Sequence, residues 1–279
     1  MFIIDIIKFP KGYAKGFILT GSILVGSIVL MAIFAPYIAP YSPIKSVGEI
    51  LQPPSFKHIM GTDNLGRDIF SRIVYGSRTV LSIVLSAGFI SMLFGVSLGL
   101  ISGYIGGKLD RILSMIMDSI YAFPGLILAI AISAMLGPSI INAIIAISVV
   151  YIPTFFRMTR GQTLSLKTRL FVEAAKVIGA SNFRILTKYI FSNLIPTVVV
   201  VFSICIADAI ITAAGLSFLG FIVTAPTPDW GWDLSAGKAY LPAGYWWLIT
   251  FPGLMVVLLA LGFALIGEGL SELYNKSKD

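Results

Sequence analysis

The sequence predicts an all-α integral membrane protein that crosses the bilayer six times, and three observations carry that expectation. Hydrophobic residues make up 57% of the chain and charged residues 12%, with a mean hydropathy of +0.94, whereas a soluble domain carries about a quarter charged residues. Long uncharged runs recur along the chain, long enough to cross a hydrocarbon core of about 30 Å. Lysine and arginine collect in alternate connecting segments, as the positive-inside bias requires. That bias accounts for the net charge of +7, so nucleic acid is set aside as a partner. The single cysteine, Cys205, excludes an intramolecular disulfide and reads as a small buried hydrophobe.

The first element is an uncharged run after Lys8, Lys11 and Lys15. Phe17 to Ala35 is longer than the apolar stretch of a signal peptide, about 7 to 15 residues, so it is expected to stay as the first span. Pro40 to Arg78 is too polar to cross. There Asp63, Asn64 and Gly66 suit a tight turn. Asp68 can cap a helix starting at Ile69, with Arg67 paired to a nearby carboxylate. His58, the only histidine, is expected to be an exposed loop residue, because a metal site needs several ligands.

Thr79 to Gly107 forms the second span. Gly107 and Lys108 superficially match a phosphate-binding loop, but Ser102 stands where its first glycine belongs and Leu109 where its Ser or Thr belongs. Ser119 to Phe156 is 38 residues without a charge, about 57 Å as one helix, so it must turn back. Gly137, Pro138 and Ser139 supply the break, giving span three from Ile112 to Leu136 and span four from Ile140 to Phe156.

Thr168 to Pro196 is the long polar interruption of the second half. Thr168 is expected to cap a short amphipathic helix ending at Gly179, and Ser181 a second one carrying Arg184 and Lys188. Phe171, Val172, Val177 and Ile178 are expected to be exposed there, facing a partner; an ordinary surface loop is the plainer alternative. Span five runs from Leu194 to Leu216. A Gly/Pro-rich excursion follows, whose Trp230, Trp232, Trp246 and Trp247 suit an interfacial belt. Span six is the uncharged run from Ala239 to Gly267.

Six spans place both termini on one side. Fourteen of the twenty basic residues then fall on the terminal side and six on the other, which makes the termini and Thr168 to Pro196 cytoplasmic. Two carboxylates sit at membrane depth, Asp118 and Asp208, and intramembrane ionisable groups are functional candidates. A paired-aspartate protease would need flanking motifs that neither shows. No HExxH or GxSxG occurs, so no catalytic set and no metal site is expected.

Several ordered motifs carry a family resemblance. Glu173-Ala174-Ala175 with Gly179 and the distal Pro196 resembles the cytoplasmic EAA loop of permease subunits in binding-protein-dependent ABC importers. His58 with Gly61-Thr62-Asp63 and Gly66-Arg67-Asp68, Leu216 to Gly220 with Pro226 to Gly231, and Phe251-Pro252-Gly253 leading to Gly267 through Leu270 narrow it. Together they resemble the C-type permease of the dipeptide, oligopeptide and nickel importer group.

The resemblance implies a type I importer permease with an N-terminal region, 1–78, and a core of five spans, 79–279, holding the EAA loop at 168–196. It implies a non-catalytic subunit in the cell membrane of a prokaryote, with peptide the expected cargo. Implied partners are a homologous B-type permease, two ATP-binding subunits that carry ATP and Mg, an extracytoplasmic binding protein and lipid. Glu173, Ala174, Ala175, Gly179, Ala180 and Arg184 would couple to the ATPase. Gly61, Thr62, Asp63, Gly66, Arg67 and Asp68 would form a structural motif. The chain departs from the pattern at Tyr189 and Ser192, where His and Pro are common. It departs again at Ala213, often a glutamate, and Asp208 five residues earlier is the expected substrate-path carboxylate in its place. A self-sufficient secondary transporter or channel is the alternative reading, with a membrane enzyme behind it.

Overall fold

The computed structural model describes residues 13–276. Lys8, Lys11 and Lys278, used above in the charge count, lie outside the described residues.

The chain is helical almost throughout. α1 is Tyr13–Ile33 and α2 the single turn Ala35–Ile38; α3 is Ile69–Ile105, α4 Gly107–Tyr121, α5 Gly125–Leu136 and α6 Ile140–Leu166. α7 is Leu170–Val177. α8 runs Asn182–Phe218 with a π-helical turn at Ile185–Ile190, α9 is Trp230–Gly237, and α10 is Trp247–Lys276. Five of these, α1, α3, α6, α8 and α10, are long and apolar enough to cross a membrane singly, and α4 with α5 make a sixth crossing only as a bent pair.

That pair corrects the expectation of one straight third span. The helix breaks at Ala122–Pro124 and turns by 90°. Pro124 has no amide hydrogen and biases Phe123 away from the α region. The four charges of Gly107–Tyr121, Lys108, Asp110, Arg111 and Asp118, also favour an amphipathic helix at the aqueous boundary over a spanning one.

α3 starts ten residues before the expected second span. Asp68 is its N-cap, accepting from the Ser71 amide at 2.8 Å. At 37 residues it is about 55 Å long and outreaches the hydrocarbon, so its first turns carry Arg72 and Arg78 without cost. Arg78 donates to the Ala32 and Ile33 carbonyls at 2.5 and 2.9 Å, satisfying orphan acceptors at the end of α1.

α3 and α6 form the central packing. Gly95, Gly99 and Gly103 present a flat stripe to α6, where an added Cβ would lie 2.6, 2.7 and 2.9 Å from the carbonyl oxygens of Ile152, Phe156 and Arg160. Such small-residue faces let membrane helices approach closely. α10 packs on α1 in the same way, with Gly21 against the Gly262 carbonyl and Gly269 against that of Ala14. The start of α1 and the end of α10 therefore lie at one end of the bundle. Lys167 donates to the Gly103 carbonyl at 2.7 Å, which brings the ends of α3 and α6, and with them α7, to that same end.

The other end is a polar cap, and it overturns three expectations. Trp230 is completely buried with its indole donating to the Ile73 carbonyl at 3.0 Å, and Trp247 is nearly so, donating to that of Thr62 at 3.3 Å. Both find acceptors inside the protein, so neither belongs to an interfacial belt; Trp246 is half-exposed. His58 is buried, not exposed. The last span starts at Trp247 instead of Ala239, because Pro242 and a left-handed Gly244 hold Lys238–Ala243 in a 3-10 helix.

Candidate functional site

At the end of the bundle that carries both described termini, α7 projects as one short helix. Arg169 is its N-cap, without a side-chain cap bond, and Thr168 donates instead to the Ser165 carbonyl at 3.1 Å, so the expected Thr168 cap is not formed. Its C-terminus closes as a Schellman motif. The Gly179 amide donates to the Lys176 carbonyl at 3.0 Å and the Ala180 amide to the Ala175 carbonyl at 2.9 Å, with Gly179 at φ +83°. Ser181 then accepts from the Arg184 amide at 3.3 Å, starting α8 as expected.

One face of α7 is turned into the molecule and the other out of it. Val172 and Ala175 are buried, so Val172 corrects the expectation of exposure; Ala180 is half-buried. Glu173, Ala174, Gly179 and Arg184 are exposed. Around them stand Leu170, Val177 and Ile178 at 82%, 86% and 78% exposure. Tyr104 at the end of α3 tethers the segment, donating to the Asn182 amide oxygen at 2.7 Å.

Asp208 lies in the C-terminal half of α8 on an open groove of about 850 Å³ between α6, α8 and α10. Ile211, Val257 and Leu261 line it, with Tyr121 and Thr154 beside them. Tyr151 donates to Asp208 Oδ2 at 2.8 Å, and its oxygen lies 3.0 Å from Thr212 Oγ1. Neither residue was singled out in the sequence; the signal was Thr212 one helical turn after Asp208, with a tyrosine alone in an apolar run. Cys205 is buried as expected. Asp118 is not part of the groove: it faces Arg157 at 3.7 Å, and both are more than half exposed.

The polar cap joins Gly61, Thr62, Asp63, Gly66, Arg67 and Asp68 into one knot. Asp63 accepts from the Leu65 and Arg67 amides and from Arg67 Nε at 2.6 Å, and Gly66, at φ +70°, closes the turn. Thr62 donates to the Glu49 carbonyl at 2.7 Å, and Gly61, at φ +79°, lies against the Trp247 indole. Asp68 holds His58 Nδ1 at 2.9 Å and Ser71 at the same time. Arg72, buried, forks onto Asp233 at 2.6 to 3.1 Å and donates to the carbonyls of Pro43 and Pro226. Burial pushes the Asp233 carboxyl up to about 6 against the opposing pull of Arg72. Burial also raises Asp229, which accepts from Ser217 and from the Trp232 amide.

Comparison with known proteins gives this architecture its family. A model described as the binding-protein-dependent transport system inner membrane component matches residues 95–278, and one described as the N-terminal TM domain of oligopeptide transport permease C matches residues 17–54. The dipeptide transport system permease protein DppC of Alkalihalophilus pseudofirmus is 42% identical over 255 residues, covering 91% of this chain and 84% of its own. The glutathione transport system permease protein GsiD of Escherichia coli is 41% identical over 256 residues, with the same coverage, 91% and 84%. Among solved structures, the inward-facing MetNI methionine ABC transporter has a TM-score of 0.58 at 21% identity, covering 70% of this chain and 92% of that one, a likeness of fold. The chain belongs to the binding-protein-dependent transport system inner membrane components, as a C-type, non-catalytic permease subunit of an ABC importer.

Proposed function

We propose that this permease serves an importer of dipeptides or oligopeptides, and that α7 with its Gly179 exit is the surface through which ATPase closure reaches the spans. The observation that carries the coupling reading is a short helix between two spans, closed by a Schellman turn, that exposes Leu170, Val177 and Ile178, an apolar patch of the kind that marks a protein contact. Glu173, Ala174 and Arg184 border that patch, while Ala175 and Ala180 face inward and transmit its movement. The names of the relatives, dipeptide and glutathione permeases, support a peptide cargo.

In this reading the α7 end is cytoplasmic, both termini lie there, and the partner ATPases hold ATP and Mg while this chain binds no cofactor. The open groove supports a second, homologous permease as its missing wall, and an extracytoplasmic binding protein would deliver peptide to the polar cap. ATP then favours one arrangement of the two permeases and hydrolysis releases it.

Co-purification in mild detergent tests this. The wild-type chain is expected to bring down a second permease and two ATP-hydrolysing subunits. Glu173→Lys with Ile178→Asp, both at exposed positions, should lose the ATPases while the chain still folds and keeps the second permease. A wild-type chain that purifies and transports alone would refute the subunit assembly.

A further inference from the structure

Among the described residues, Asp208 is the only charged side chain lining its groove; the rest of that wall is apolar, hydroxyl-bearing or, at Cys205, a thiol. It is exposed, and only its Oδ2 is engaged, by the Tyr151 hydroxyl. Tyr151 has one proton to give and gives it to the carboxylate, so the contact at 3.0 Å runs from Thr212 to the Tyr151 oxygen. This chain of two hydroxyls fixes the carboxylate against α6 and leaves Oδ1, on a residue that lines the groove, without a hydrogen bond among the described residues. A carboxylate at membrane depth is retained where it meets a cation or water.

We infer that Asp208, positioned by Tyr151 and Thr212, is the recognition point for the terminal ammonium group of the peptide in transit. The inference rests on the peptide-importer reading above. The α-ammonium is the one cation that every unmodified peptide carries whatever its side chains, and an apolar wall of Ile211, Val257 and Leu261 tolerates those side chains without selecting among them. Among the described residues no basic side chain lines the groove to meet the peptide carboxylate, so the other end is met outside this wall.

The test uses the complete importer in proteoliposomes, with binding protein outside, ATP inside and radiolabelled alanyl-alanine as probe. Asp208→Asn is expected to slow uptake about tenfold, the size of a lost charge-assisted hydrogen bond, with Asp208→Glu recovering part of it. Tyr151→Phe should raise the half-saturating concentration of loaded binding protein more than it lowers the maximal rate. A second readout is covalent. With the importer arrested by vanadate, a water-soluble carbodiimide adds to a carboxylate as an O-acylisourea. The peptide nitrogen, giving up a proton, displaces the urea and leaves an amide.

Mass spectrometry should place that amide on Asp208. An unlabelled Asp208 in an importer that turns over, unchanged uptake by Asp208→Asn, or loss of the second permease from that variant would each overturn the inference, the last by showing that the carboxylate pairs with the neighbouring subunit. If the wild-type importer takes up no alanyl-alanine with ATP present, the peptide-importer reading itself fails and carries this inference with it.

Discussion

Asp68 accepts at once from His58, from the Ser71 hydroxyl and from the Ser71 amide at the first turn of α3, with its side chain almost fully buried. Removing it deletes a helix cap, about 1 kcal/mol, and leaves a buried imidazole and hydroxyl without their acceptor, about 1 to 3 kcal/mol. Asp68→Ala is therefore expected to destabilise the chain by about 2 to 4 kcal/mol. The check is the midpoint of thermal unfolding in detergent, with exposed Lys57→Ala as control; equal midpoints for the two variants would show that the knot contributes nothing. The cap and the Asp63 turn were legible, because both act within four residues of sequence. The burial of His58 was not. Its partner stands ten residues away across the turn, and a lone histidine carries no spacing that distinguishes a loop from a core. Trp230 and Trp247 were misassigned for the same reason: their acceptors, Ile73 and Thr62, are 157 and 185 residues distant.

At the scale of elements, the spans were readable and their interruptions only partly so. The break at Gly137–Ser139 followed from length, since 38 uncharged residues exceed one crossing. The 90° break at Ala122–Pro124 carried its own signal in Phe123-Pro124-Gly125, but the apolar run around it hid the turn. The glycine stripe of α3 shows what a spacing of four contributes once two helices meet. Gly99→Ala would place a Cβ 2.7 Å from the Phe156 carbonyl, so the α3–α6 contact must open, at about 1 to 3 kcal/mol. Gly161, with nothing within 4 Å, provides the contrast. Gly161→Ala should be neutral or stabilising by about 0.5 to 1 kcal/mol. Thermal unfolding of both variants decides whether the stripe or glycine content as such sets stability, and equal shifts would reject the stripe.

The whole molecule leaves one side of its groove unwalled, although the bundle is tied together at both ends. Arg72 joins α3 to α9 across 161 residues at the polar cap, and Lys167 joins α6 to α3 at the opposite end. Between these ties, Ile204, Ile211, Val257 and Leu261 remain substantially exposed along α8 and α10. A face of this kind can be a lipid contact, a fixed pore lining or part of a path that opens alternately, and the three differ in water access. Ile211→Cys, at 59% exposure beside Asp208, separates them in the assembled importer with a membrane-impermeant thiol reagent, which reacts only where water reaches. Cys205, buried but lining the same groove, is replaced by alanine in the background, which alone serves as the unlabelled control. Alternating access requires labelling in one nucleotide state and protection in the other, because ATP favours one of two arrangements. A lipid contact would stay unlabelled in both states and a fixed pore would label in both. The outcome expected here is a rate of labelling that changes at least about tenfold between nucleotide-free and vanadate-arrested importer, a population shift of about 1.4 kcal/mol or more.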